Sequence, residues 1–376
     1  MKLPTFEDLS KEQDAIYNLP LGGNYLVSGP PGTGKSVMAL YRALALTIDE
    51  RNPVLLMYSN LLKQYTTQAS SALKIEGSVD TFHTWFKKFW KHHYGESPPT
   101  MSGDVFTHDW NEILNKFGTA PPHEGELQDV LVDEGQDLSI NFYRLARYLT
   151  KNITVFADEN QQLFEHNTTL DEIRRAIKAD KHLELRRNYR NSRQIARVAE
   201  KYYCGTPGGI PDLPERERDK PIVQGFRNLN DFVETLVRFA NNNGMASIGV
   251  ACHTVSLQKR ILNRLKTREN SGALKAKIQT YMPKSMTPTD RKVDFTVPSI
   301  TVVTYKSLKG LEFDALFVPE IQSWWAKSNP TSAKFRMEFY VVVSRARDFL
   351  HLSWSESPSV PEILQTVMTP DLVEVR

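Results

Sequence analysis

Apolar residues in this chain fall in short blocks separated by longer amphipathic or polar stretches. Tyr25–Val27, Pro53–Ser59, Asp129–Glu134 and Ile153–Asp158 read as buried strands, each too short for a helix and rich in branched or aromatic residues. Between the first two lies a helical pattern with Val37, Met38, Leu40, Ala43 and Leu44 apolar, and Asn60–Ser71 reads as another helix. A helix also opens the chain, with Ser10 as N-cap and Gln13 three residues later as capping-box partner. Pro207, Gly208, Gly209, Pro211 and Pro214 mark a break in composition. Strands resume at Ile222–Gly225, Ser247–Cys252, Ile300–Thr304, Ala315–Pro319 and Leu350–Trp354. Strands alternating with helices build βαβ units and a parallel sheet. The expected fold is therefore α/β in two domains. One covers 1–190, with a small insertion near 87–126 rich in turn formers. The other covers 191–376, with a basic insertion near 266–298.

Composition narrows the picture only a little. A chain of 376 residues exceeds one ordinary core, which agrees with two domains. Hydrophobic content of 40% and charged content of 24% suit a globular protein. A net charge of +3 permits a polyanionic partner without requiring one. Cys204 and Cys252 form no ligand-like pair, which argues against a disulfide scaffold or zinc site and suits a reducing cytoplasm. The opening MKLPTFEDLS has no apolar core of signal-peptide type, and no apolar run is long enough to span a bilayer. No membrane partner is expected.

The chemistry is concentrated in a few stretches. GPPGTGKS after the first strand fits a phosphate-binding loop through Gly29, Gly34, Lys35 and Ser36, with Gly32 and Thr33 between them. Small residues let backbone N–H groups turn inward around phosphates, and the following helix adds the positive end of its dipole. Lys35 can reach the outer phosphates and Ser36 can hold Mg²⁺. The strand-loop-helix context is what that pattern needs. Asp133 and Glu134 close a later apolar strand, which suits Mg²⁺ at Asp133 and a proton-accepting Glu134. The Gln13 amide could read an adenine edge as well as cap its helix, since it donates and accepts at once. In TFHTWFKKFWKHHYG, Trp85, Phe86, Phe89 and Trp90 alternate with Lys and His. That suits a single strand of nucleic acid, and equally an amphipathic helix burying its rings. Between Lys259 and Lys292 lie ten Lys or Arg and two acids, either a solvated face or a phosphate track.

The ordered set LSKEQDAI, GPPGTGKS, YSN, TFHTWF, VLVDEGQDL, ADENQQLF, LRRNYRNS, TYKSLKGLEFDALFV and YVVVSRAR resembles a superfamily 1 DNA helicase of the UvrD/Rep type, over most of the chain. The resemblance implies two RecA-like parallel-sheet domains, the first a P-loop NTPase, with ATP and Mg²⁺ as cofactors. It makes Gln13 the adenine reader, Tyr189 the ring stacked on the base and Glu312 the ribose contact. It makes Gln161 the γ-phosphate sensor, and Arg190 and Arg345 the arginines that act on the γ-phosphate from across the domain cleft. It implies strand contacts from Asn60, Phe82, His83, Trp85, Thr304 and Lys306. The activity implied is ATP-dependent movement, 3′ to 5′, along single-stranded DNA, with RNA as the alternative strand. The alternative is a nucleic-acid-stimulated ATPase switch serving a larger repair or defence complex. A protein partner is allowed but not identified.

This sequence departs from the family in three places. The interval between TFHTWF and VLVDE is short, and the second accessory region shrinks to the basic stretch before Ser299. The tryptophan-arginine-glycine run that usually follows ADENQQLF is replaced by Glu165-His166-Asn167-Thr168. This is therefore a minimal form, and the departures weigh against strand separation more than against ATP hydrolysis.

Overall fold

A computed structural model describes residues 5–73, 75, 78–102, 107–158, 168–205, 209–244, 246–325, 332–357 and 359–376. The chain divides into two compact units. The N-terminal unit comprises Lys2–Gly29 and Gly34–Leu185. The C-terminal unit comprises Arg186–Arg376 together with Met1 and the four-residue segment Pro30–Thr33.

Among the described residues, the N-terminal unit contains β1 (Asn24–Ser28), β2 (Val54–Met57), β3 (Ser78–Thr81), β4 (Leu127–Val132), β5 (Thr150–Ala157) and β6 (Lys181–Glu184). They form one parallel sheet in the order β3-β2-β4-β5-β1-β6. Parallel order requires crossovers, and the helices Lys35–Ile48, Asn60–Leu73 and Phe82–Tyr94 supply them. The central strands are buried almost throughout, as in a sheet covered on both faces. One core cluster packs Val130, Val132, Ile153 and Val155 against Phe82, Phe86, Trp90 and Phe142. The helix Phe82–Tyr94 thus spends most of its rings on packing: Phe86 and Trp90 are fully buried, while Lys87 and Lys88 face outward. Removing a ring such as Phe86 would cost about 3–5 kcal/mol.

The C-terminal unit is also a parallel sheet, with helices such as Leu229–Asn242 and Val255–Asn270 packed on it. Its described strands are β7 (Ile222–Phe226), β8 (Ser247–Cys252), β9 (Lys277–Thr280), β10 (Ser299–Thr304), β11 (Phe313–Val318), β12 (Ala346–Ser355) and β13 (Glu374–Val375). Their order is β13-β7-β12-β11-β8-β10-β9. Part of the expected basic insertion is therefore an edge strand: β9 pairs with β10 in parallel, and Lys277 lies 3.6 Å from Asp294. Likewise, the turn-rich stretch after Tyr94 holds the helix Trp110–Thr119, whose Ile113 is fully buried in the core.

No described helix is long and apolar enough to cross a membrane. Among the described residues, no group of three His, Cys, Asp or Glu side chains is placed to hold a metal. Both cysteines are free.

Candidate nucleotide site

In a parallel sheet every strand ends at the same edge, and ligands gather there. In the N-terminal unit β1 runs in register with β5, Ser28 opposite Ala157, and β4 with β5, Val132 opposite Val155. The residues that follow β1, β4 and β5 therefore emerge side by side. They are the phosphate loop, Asp133-Glu134 and Asp158. The Asp133 N–H is fixed by donating to the Leu56 carbonyl of β2 (2.9 Å).

Gly34 is the N-cap of the helix Lys35–Ile48, with φ +94°, and no side chain caps that helix end. Its first turn carries no acid. The N–H groups at this end thus lack the side-chain cap that helices normally have. A Cβ on Gly34 would fall 2.6 Å from Gln13 Nε2, so only glycine leaves room for the Gln13 amide beside the loop. Gln13 also closes the capping box: its Oε1 accepts from the Ser10 N–H (3.1 Å) and its N–H donates to Ser10 Oγ (3.2 Å). The side chain expected to read adenine is thus also the partner that caps its own helix.

Lys35 is buried. Its ammonium donates to the Gly29 carbonyl (2.5 Å) and lies 3.6 Å from Asp158 Oδ2. Asp133 is buried beside the Ser36 hydroxyl. Burial, then the like charge of Glu134, push its carboxyl up to about 6, against the opposing pull of Ser36 and Lys35. Its Oδ1 accepts the Glu134 N–H (3.0 Å), while Oδ2 is buried with no hydrogen-bond partner. An orphaned carboxylate oxygen next to a serine hydroxyl is an all-oxygen donor set that suits a hard cation such as Mg²⁺.

Glu134 sits in left-handed backbone (φ 54°), which is strained for a residue with a Cβ. Its Oε2 accepts from Gln136 Nε2 (2.6 Å), and Gln136 Oε1 accepts the N–H of Asp158 (2.9 Å). Gln136 thereby holds the Glu134 carboxylate and the end of β5 in one network. Sequence reasoning gave no role to Gln136 or Asp158. The signal for Asp158 was present, an acid closing an apolar strand as Asp133 does. For Gln136 no spacing rule pointed to it.

Other expected contacts are scattered along the same sheet edge. Asn60 opens its helix and is exposed. Phe82 is in the core, packed against Phe86 and Phe142, so its ring is not offered to a base. Trp85 is half-buried and stacked on Phe89 at 5.2 Å, and His83 lies against Tyr58 and His108. Unforeseen is Asp80, the penultimate residue of β3, which binds both Lys63 (2.7 Å) and Lys88 (2.8 Å). Gln161 lies outside the described residues, as does most of the replaced run at 165–168.

Within the C-terminal unit, Gly32 and Thr33 belong to the Pro30–Thr33 segment. The Gly32 carbonyl accepts from the Tyr189 N–H (2.8 Å), and a Cβ on Gly32 would meet Asn188 Oδ1 at 2.6 Å. Thr33 Oγ1 donates to the Pro30 carbonyl (2.9 Å). The Tyr189 ring is partly exposed, with the Arg187 guanidinium 5.6 Å from its centroid. Arg190 Nε donates to Glu312 Oε2 (3.2 Å), and Arg190 Nη1 is buried without a partner. Burial, the largest single influence, raises Glu312, but the charges of Arg190 and Arg347 and the Arg190 hydrogen bond act together with others to hold the carboxyl below its usual value. The carboxylate expected on a ribose is here bound to an arginine.

Arg345 is buried, its Nε donating to the Val341 carbonyl (3.1 Å) and its carbonyl accepting the Phe313 N–H (3.0 Å). Asn191, also unforeseen, ties this corner by donating to the Ser344 and Ala346 carbonyls. Glu312 and Arg345 precede β11 and β12, whereas Thr304 ends β10 and Lys306 follows it. The structure thus brings Arg190, Glu312 and Arg345 to one end of the sheet and Thr304 and Lys306 to the other. Lys306 is exposed over the Tyr305 ring (5.9 Å), and Thr304 Oγ1 is 3.2 Å from Ser307 Oγ.

These two parallel-sheet units define the fold class: two RecA-like α/β domains. Among solved structures, S. cerevisiae Dbp5 bound to RNA and ADP BeF3 is similar with a TM-score of 0.52, at 14% identity, over 98% of this chain and 90% of that one. The C-terminal domain of a possible DNA helicase from Lactobacillus plantarum WCFS1 is similar at 21% identity over 50% of this chain and 97% of that one, with a TM-score of 0.36. Likeness at these identities concerns the fold alone. Compared with protein-family profiles and with curated proteins, the chain gives no match in either.

Proposed function

We propose that this chain is an ATP-hydrolysing motor on single-stranded nucleic acid, a minimal superfamily 1 helicase of the UvrD/Rep type that moves 3′ to 5′ on DNA. One observation carries the reading. An uncapped helix start, a buried lysine and a buried carboxylate with an orphaned oxygen converge at the ends of β1, β4 and β5. That combination suits a magnesium-bound nucleoside triphosphate and little else.

In this reading the loop N–H groups and Lys35 bind the phosphates, and Ser36 and Asp133 hold Mg²⁺. When bound, the metal neutralises phosphate charge. Gln136 orients the Glu134 carboxylate, and Glu134 accepts the proton of the attacking water. Gln13 reads the adenine edge and Tyr189 stacks on the base. Arg190 and Arg345 stabilise the charge that spreads over the departing phosphoryl oxygens, where a planar guanidinium donates best. The RNA bound to Dbp5 in that structure agrees with a nucleic-acid substrate.

A second reading has one observation in its favour. Phe82, Phe86, Phe89 and Trp90 are core residues, which leaves Trp85, Tyr94 and the histidines as the partly exposed rings of that helix for a base. Such a protein would bind nucleic acid and switch conformation with ATP without processive movement. The deciding experiment measures ATP turnover with no nucleic acid, with long single-stranded DNA and with RNA, alongside translocation along the DNA. Turnover stimulated by DNA with directional movement is expected. Stimulated turnover without movement selects the switch, and turnover indifferent to nucleic acid overturns both.

A further inference from the structure

Asn191 directly follows Arg190 and is 2% exposed. Its side-chain amide is fully committed. Oδ1 accepts from Asn188 Nδ2 (2.9 Å), and Nδ2 donates to the carbonyls of Ser344 (3.1 Å) and Ala346 (2.5 Å). Those two carbonyls flank Arg345. Ser344 is also the C-cap of the helix Ala333–Val343, where carbonyls run out of partners within the helix. Carbonyls only accept, so the amide nitrogen of Asn191 must face them. An aspartate there would set oxygen against oxygen.

The residues around Asn191 extend the same tie. Asn188 Oδ1 accepts the N–H groups of Arg190 (3.0 Å) and Asn191 (3.1 Å), and the Ser192 N–H donates to the Arg347 carbonyl (2.8 Å). Arg216 Nη2 donates to the carbonyls of Arg190 and Arg347, the second at 3.1 Å. Glu312 and Phe313 close the other side. Glu312 binds the Arg190 side chain, and the Phe313 N–H donates to the Arg345 carbonyl (3.0 Å). Arg190 and Arg345 lie 155 residues apart in sequence (345 − 190), yet their backbones belong to one hydrogen-bonded block. Asn191 is the side chain that reaches from the segment of one arginine to both flanks of the other.

We propose that Asn191 is a positioning residue for phosphoryl transfer, fixing Arg190 and Arg345 at a set spacing so that they meet the transition-state charge together. The proposal rests on the reading above, in which both arginines act on the departing phosphoryl group. A guanidinium stabilises charge only where its fork is aimed, and a misplacement of about 1 Å can cost about a hundredfold in rate. Two arginines on independent loops would each need ordering at the moment of reaction. A preformed block has ordered them beforehand.

The test uses the whole chain with single-stranded DNA and Mg²⁺, and measures ATP affinity and single-turnover hydrolysis on protein with native circular dichroism. Asn191→Asp keeps the shape of the side chain and loses its donor. It should lower hydrolysis at least tenfold while ATP affinity stays within twofold of the parent. In a chain that already carries Arg190→Ala and Arg345→Ala, adding Asn191→Asp should change the residual rate less than twofold, because a positioning residue has nothing left to position. Should Asn191→Asp not fold, Asn191→Ser, which keeps one donor, carries the same comparison with a loss of at least threefold. A parental rate in the folded Asn191 variant would overturn the proposal. A loss that persists undiminished without the two arginines, or a matching loss of ATP affinity, would also overturn it and leave Asn191 a structural residue. Parental hydrolysis by the chain lacking both arginines would instead overturn the reading on which the proposal rests.

Discussion

The two units are built alike, yet their first helices begin differently. In the N-terminal unit β1 leads to Gly34, and the helix Lys35–Ile48 starts with no side-chain cap and no acid in its first turn. In the C-terminal unit β7 leads to Asn228, whose Oδ1 accepts from the N–H groups of Asn230 and Asp231, and Asp231 adds a negative charge to the first turn. Thr254 and Ser332 cap the helices Val255–Asn270 and Ala333–Val343 in the same way. One helix start is left open to an anion, and these others are closed by their own side chains. In the proposed reading, a repeated fold confines phosphate chemistry to one copy by a choice of cap, with little change to the sheet beneath.

The most severe test of that contrast is Lys35→Ala. ATP turnover should fall to background while circular dichroism remains native. The structure refines the reason, since Lys35 is buried against Asp158 and some loss of stability accompanies the loss of function. Near-normal turnover by folded Lys35→Ala would remove the distinction between the units. Glu134→Gln should keep ATP affinity and lower single-turnover hydrolysis by about a hundredfold or more. An unchanged rate would hand the base's role to another residue.

The units should resemble each other in acid. His108 in one and His351 in the other are buried, and burial lowers them to about 4 and about 3. A lowered histidine stabilises the fold fully above its unfolded value near 6.5 and loses that contribution as pH falls toward the folded value. Each unit should therefore lose about 2–3 kcal/mol between pH 7 and pH 4.5, read by urea unfolding. His108→Phe should flatten that slope for the N-terminal unit, and a slope left as steep would refute the assignment. The smallest effect belongs to the cap itself. Asn228→Ala should cost about 1 kcal/mol in a thermal melt and leave ATP affinity alone. A melt within a few tenths of the parent would mean that the cap does not close the second helix.

Much of this was legible in the chain because central strands are apolar on both faces. Ser247–Cys252 has the bounds that its hydropathy predicts, and β1, β2, β4 and β5 lie within a few residues of theirs. The strands that hydropathy passed over are β3, β6, β9 and β13, and all four are sheet edges. An edge strand packs less and carries charge, as Lys181–Glu184 shows with mostly exposed residues. The phosphate loop and the acids of β4 were legible because spacing fixes their chemistry. Gln136 was not, because its role depends on where β5 ends in space. Phe82 and its neighbours were left open between the two readings. Alternation of rings and lysines is the same pattern whether the rings meet a base or a core.

The left-handed backbone at Glu134 carries a consequence for durability. A long side chain held there, beside a like charge on Asp133, is in a conformation and a field that both work against stability. Asparagine tolerates this conformation far better and carries no charge. Glu134→Asn should therefore survive heating better than the parent, by about 1 kcal/mol, while hydrolysing nothing. In the proposed reading, glutamate at this position gives up stability for turnover.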